Sequence, residues 1–140
     1  MAWRREKGWG AWGVEFRPDC NVVESGMGVF GDWTKALVGK AAAEEQRQEG
    51  ARQALVTLVI EVDGMDVSND EAILRDGEAI GYVSSGGYGH RVGRSMAMGY
   101  IGAEHAAPGT RVEVEILGKL YPAEVLAGPM YDPNGGRMRS

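Results

Sequence analysis

Apolar and polar positions change their rhythm near residue 51. From Gln53 onward the period is two: Leu55, Thr57, Val59 and Glu61 alternate with Val56, Leu58, Ile60 and Val62. Both faces of that run are largely apolar, which predicts a central strand rather than a half-exposed one. Further strands are expected over 72–74, 78–85, 95–101, 111–117 and 121–126. The breaks between them are turn signals: Asp63-Gly64, Arg75-Asp76-Gly77, Gly86-Gly87-Tyr88-Gly89, Pro108-Gly109 and Gly118-Lys119. Short strands at this spacing predict a small antiparallel barrel or sandwich, with the pair joined at Gly118-Lys119 as its clearest hairpin.

Before residue 51 the pattern is of another kind. Residues 9–30 mix short apolar runs with Gly, Pro and Asn and read as strand fragments and loops that lack partners. Over 38–49 an Ala-, Glu-, Gln- and Arg-rich run without internal Gly or Pro predicts a helix, ended at Gly50. Its apolar side is only alanine, so it needs a neighbour to pack on. The expected fold is therefore an α+β fragment, residues 1–51, followed by an antiparallel β-barrel with a tail, residues 52–140.

Composition narrows the functional classes. A net charge of -5 and a pI near 5.1 argue against nucleic acid as the main partner, because phosphate neutralisation requires a basic surface. No run approaches the roughly 18 apolar residues of a membrane helix, and the first residues lack a signal-peptide core, so the expected compartment is cytoplasmic with no membrane partner. The lone Cys20 excludes an internal disulfide and a multi-cysteine zinc site, and His105 has no second histidine nearby; no metal is expected.

The run from Asp76 to His90, continued by Val92-Gly93-Arg94-Ser95-Met96-Ala97-Met98-Gly99-Tyr100-Ile101, resembles the C-terminal barrel of glycine-cleavage T-protein-like aminomethyltransferases. More narrowly, it is similar to the version fused to flavin-dependent dimethylglycine and sarcosine dehydrogenases. Pro108-Gly109-Thr110, Tyr121-Pro122-Ala123-Glu124-Val125 and Pro129-Met130-Tyr131-Asp132-Pro133 agree in the same order. Upstream, Arg4-Arg5-Glu6-Lys7-Gly8-Trp9 and Val23-Glu24-Ser25-Gly26-Met27-Gly28 resemble segments of that family's folate-binding domain.

This resemblance implies a tetrahydrofolate-dependent capture of a one-carbon unit from an N-methylated glycine or an aminomethyl donor. FAD would belong to a fused or separate domain. It also implies that the aspartate orienting folate and substrate lies outside this chain, on a missing N-terminal domain or partner subunit, so that no catalytic residue is assigned here. The alternative is a non-catalytic binding or docking module, a truncated or split gene product that needs such a partner.

Cofactor contacts carried over by the resemblance are Arg4, with Glu6 orienting it, Tyr88 or His90 packed on the pterin or its tail, and Tyr131 folded back against the cavity. Each has a plainer reading. Arg4 is then a solvated arginine, and the 86–89 glycines are then a hairpin turn that leaves His90 exposed. Arg94 is expected to be structural, capping a carbonyl or pairing across the sheet with Glu78. Trp3, Trp9, Trp12 and Trp33 are expected to pack against a missing domain.

Overall fold

The computed structural model describes residues 2–139. Six strands, β1 (Gln53–Ile60), β2 (Ala72–Arg75), β3 (Glu78–Gly89), β4 (Arg94–Gly102), β5 (Arg111–Ile116) and β6 (Lys119–Val125), follow two helices, α1 (Ala2–Glu6) and α2 (Lys40–Glu49). The strands close into an antiparallel barrel in the order β1-β4-β3-β2-β5-β6. Closure between β1 and β6, with Leu58 opposite Val125, removes the free edges that an open sheet of these strands would expose.

Alternation explains the core. Val56, Leu58 and Ile60 of β1 point inward, as do Val112, Val114 and Ile116 of β5, and they meet Ile73, Val83, Ala97, Ala123 and Val125. Leu58, Ile73, Val83 and Val114 are wholly buried. Burying each such side chain contributes roughly 1.5–3 kcal/mol, and branched aliphatic residues suit the pleated wall that holds them.

Two readings of the sequence change here. The glycines at 86, 87 and 89 do not make a turn. They continue β3, with Gly86 opposite Ala97, Gly87 opposite Met96 and Gly89 opposite Arg94; the chain reverses over 90–93, closed by the Gly93 N–H to the Gly89 carbonyl at 2.8 Å. These glycines serve close packing. A Cβ on Gly86 would stand 2.0 Å from Val67 of the core, and one on Gly87 2.5 Å from the Arg5 guanidinium. Because the hairpin is longer than expected, Arg94 opposes Gly89, and Glu78 pairs across the strands with Arg75.

The segment before the barrel has little regular structure. Gly39, in the left-handed conformation, opens α2 two residues later than the run of helix formers suggests. Among the described residues before 51 only Glu6, Glu15 and Glu24 are buried.

Candidate functional site

Helix α1 lies along β3, and its residues step down the strand two at a time. Arg4 reaches the Ser85 hydroxyl at 3.1 Å, the Arg5 guanidinium covers Gly87, and Val92 together with the Glu6 side chain crowds the space a Cβ on Gly89 would need. Glycine at 87 and 89 is thus what lets the helix come this close.

Glu15 is the centre of the contact. It has no exposed surface, and its carboxylate meets Arg4 Nη1 at 2.5 Å, the Ala11 N–H at 2.8 Å, the Ser84 hydroxyl at 3.1 Å and the Ser85 hydroxyl. Two consecutive strand residues normally point to opposite faces. Here the register of β3 shifts between Val83 and Ser85, and that bulge aims both hydroxyls at one carboxylate. Burial by itself pushes the Glu15 carboxyl up. The hydrogen bonds from Ser85, Ala11 and Arg4, with the Arg4 charge, outweigh it and hold the group below its ordinary value. The Tyr100 hydroxyl completes the knot by donating to the Glu15 carbonyl at 2.8 Å.

Beside this knot the C-terminal tail folds back over α1. The Tyr131 N–H donates to the Glu6 carbonyl at 3.0 Å. Lys7 pairs with the Asp132 carboxylate at 3.2 Å and also donates to its carbonyl. Glu6 accepts from the Arg91 N–H at 2.7 Å and the Val92 N–H at 3.3 Å, which ties the β3–β4 turn to the same place. Between these parts lies a cleft of about 310 Å³ lined by the rings of Trp3, Trp9 and Tyr131, by the cations Lys7, Arg91 and Arg137, and by the carboxylates of Glu6 and Asp132. The Arg91 and Arg137 guanidiniums lie 5.3 Å and 5.7 Å from the Tyr131 ring centre. Flat aromatic walls beside several cations suit a planar heterocycle that carries a carboxylate.

Of the residues singled out in the sequence, Glu6 and Tyr131 come together in this cleft. Arg4 adjoins it but is engaged by Glu15, Ser85 and the Trp9 carbonyl. Tyr88 and His90 sit at the exposed end of the β3–β4 hairpin, edge to face at 5.2 Å, and Tyr88 borders a different depression with Arg94 and Ser95. Lys7 and Asp132 lie inside the segments that carry the resemblance, yet neither they nor Arg91 and Arg137 have a role readable from the sequence. Arg91 carries a signal only in hindsight, as the residue at the tip of a hairpin whose true turn begins after Gly89.

No helix among the described residues is long and apolar enough to cross a membrane, and none of their His, Cys, Asp and Glu side chains form a metal-holding group of three.

Residues 53–132 match the family described as the glycine cleavage T-protein C-terminal barrel domain. Mitochondrial dimethylglycine dehydrogenase of Mus musculus is 34% identical over 140 residues, which cover 99% of this chain and 16% of that protein. An aminomethyltransferase of Picosynechococcus sp. is 32% identical over 130 residues, 91% of this chain and 36% of that protein. Among solved structures, glycine cleavage system aminomethyltransferase T from Bartonella henselae superposes with a TM-score of 0.86 at 26% identity, over 94% of this chain and 38% of that one. The chain therefore spans only a minor part of these relatives.

Proposed function

The chain belongs to the glycine cleavage T-protein C-terminal barrel family, and on that premise we propose that it is the C-terminal part of a tetrahydrofolate-dependent aminomethyltransferase module. In this reading residues 1–51 end the folate-binding domain and residues 52–140 are the barrel with its tail. The module captures a one-carbon unit from an N-methylated glycine of the dimethylglycine or sarcosine type, or from an aminomethyl donor. Tetrahydrofolate supplies the nitrogens that accept the carbon, and FAD, where an amine must first be oxidised, belongs to a fused or separate domain.

The observation that carries the reading is the cleft between α1 and the tail. Trp3, Trp9 and Tyr131 line it and would offer faces for a flat ring, and Arg91 and Arg137, lining the same cleft, would meet its carboxylate tail, while Lys7 is held by Asp132. What the chain contributes is placement: the Glu15 knot and the Glu6 bonds to the turn hold the walls in register, so a bound folate meets a formed surface. Arg4, Glu6 and Tyr131 are the contacts proposed at or beside this cleft; Tyr88 and His90 would contribute from the hairpin end.

Titration of the chain with tetrahydrofolate, followed by tryptophan fluorescence and calorimetry, tests this. Saturable micromolar binding that is lost in Tyr131→Ala is the expected result. Absence of binding favours the second reading, a docking module that acts only with the rest of the enzyme. That reading rests on Trp12, Val29, Phe30 and Val38, all more than three-quarters exposed, and a surface of this kind invites another polypeptide. The cytoplasm is the proposed compartment, although the dimethylglycine and sarcosine dehydrogenases similar to the chain are named as mitochondrial.

A further inference from the structure

Each cation around α1 has a counterpart except one. Arg4 has Glu15 and Lys7 has Asp132, and the Arg91 guanidinium lies over the Tyr131 ring. Among the described residues Arg5 has no ion-pair partner within 4.0 Å, and its Nε is covered without a hydrogen-bond partner. Its guanidinium is pressed against the backbone of β3, where Gly87 leaves room for it. The negative charges that act on it, Asp66 and Glu15, lie beyond pairing distance, while burial and the neighbouring Arg4 charge weaken its hold on its proton.

A half-buried guanidinium with no counter-charge is costly, because desolvation is not offset by an ion pair or a full set of hydrogen bonds. Water does not reach the covered Nε edge, whereas the terminal nitrogens, which are not among the covered atoms, remain open to solvent. With that edge covered, the two terminal nitrogens are what an incoming group meets, and their fork matches a planar or tetrahedral oxyanion. We propose that Arg5, seated on Gly87 beside the Arg4–Glu15 pair, is a binding site for a small oxyanion, a carboxylate or a phosphate. The site is separate from the cleft between α1 and the tail, which Arg5 does not line, and it does not depend on folate binding there.

The test is titration of the whole chain with glutarate and, separately, with inorganic phosphate, at constant ionic strength made up with chloride. The arginine Nε–Hε signals are followed in proton–nitrogen correlation spectra. The expected result is a saturable shift of one signal, the one absent in Arg5→Gln, and calorimetry of the same titrations should give an affinity about tenfold or more weaker in that variant and partly kept in Arg5→Lys. Whichever anion saturates at the lower concentration identifies the source. Thermal unfolding of Arg5→Gln separates this from a structural role: loss of an uncompensated charge leaves the midpoint unchanged or raised, whereas a structural pin would lower it. Shifts that only follow ionic strength for both anions, or a lowered midpoint with unchanged anion affinity, would overturn the proposal.

Discussion

The barrel and the segment before it are held by opposite means. In the barrel the buried residues are aliphatic, and Leu58, Ile73, Val83 and Val114 have no exposed surface. Between residues 2 and 50 the buried residues are three glutamates. Glu6 accepts from the β3–β4 turn, Glu15 from Arg4, Ala11, Ser84 and Ser85, and Glu24 from the Asn21 N–H at 3.2 Å and Gln53 at 3.4 Å. Meanwhile Trp3, Trp12, Val29 and Phe30 stay largely exposed. Apolar burial is non-directional and adds up over a whole core, whereas a buried carboxylate stabilises only while each of its donors is in place. The barrel should thus behave as one cooperative unit, and the preceding segment as a part that detaches first.

The largest effect is expected from the barrel. Leu58→Ala should cost about 2–5 kcal/mol, and because the barrel carries the contact surface for α1, tryptophan fluorescence and far-UV circular dichroism should report the same shifted transition. All four tryptophans lie in the first 50 residues, so fluorescence follows that segment; both α-helices lie there too, so it is the sheet component of the dichroism that follows the barrel. Glu15→Ala comes next. It strands a mostly buried Arg4 and should cost about 3 kcal/mol locally, moving the fluorescence transition while leaving the barrel transition in place.

Acid should imitate that variant. The folded-state value of Glu15 is depressed, so its stabilisation is complete above the ordinary glutamate value, about 4.3, and is lost as the pH falls through the folded-state value. Fluorescence should therefore change at a higher pH than dichroism, and the gap should vanish in Glu15→Gln. The smallest of these effects belongs to Ser84→Ala. It removes the single hydroxyl proton that Ser84 shares between Glu15 and the Met98 carbonyl, about 1 kcal/mol, again seen mainly by fluorescence.

Legibility in the sequence follows the same division. The alternation of Val56, Leu58 and Ile60 and the glycine-marked turns announced an antiparallel barrel or sandwich, because a strand with a buried face must repeat every two residues, and the family resemblance singled out the barrel. Glycine misled at 86–89, since the residue that permits a turn also permits close approach, and only the partner, α1, tells which applies. The Glu15 knot left no periodic trace. A glutamate among Gly, Trp and Val reads as a solvated charge until the bulge at Ser84 and Arg4 from the chain start surround it. Glu6 and Tyr131 take a role only from the family resemblance, and Lys7 and Arg91 take one from neither route, because their roles arise where the tail, α1 and the hairpin tip converge.

Native-state hydrogen exchange of the chain and its Glu15→Gln variant tests the contrast most directly. The predicted result is faster exchange over residues 2–30 in the variant, with the amides of β1, β4, β5 and β6 unchanged. Equal loss of protection in both regions, or none in either, would contradict the claim that buried carboxylates fasten the first segment to a barrel that stands on its own core.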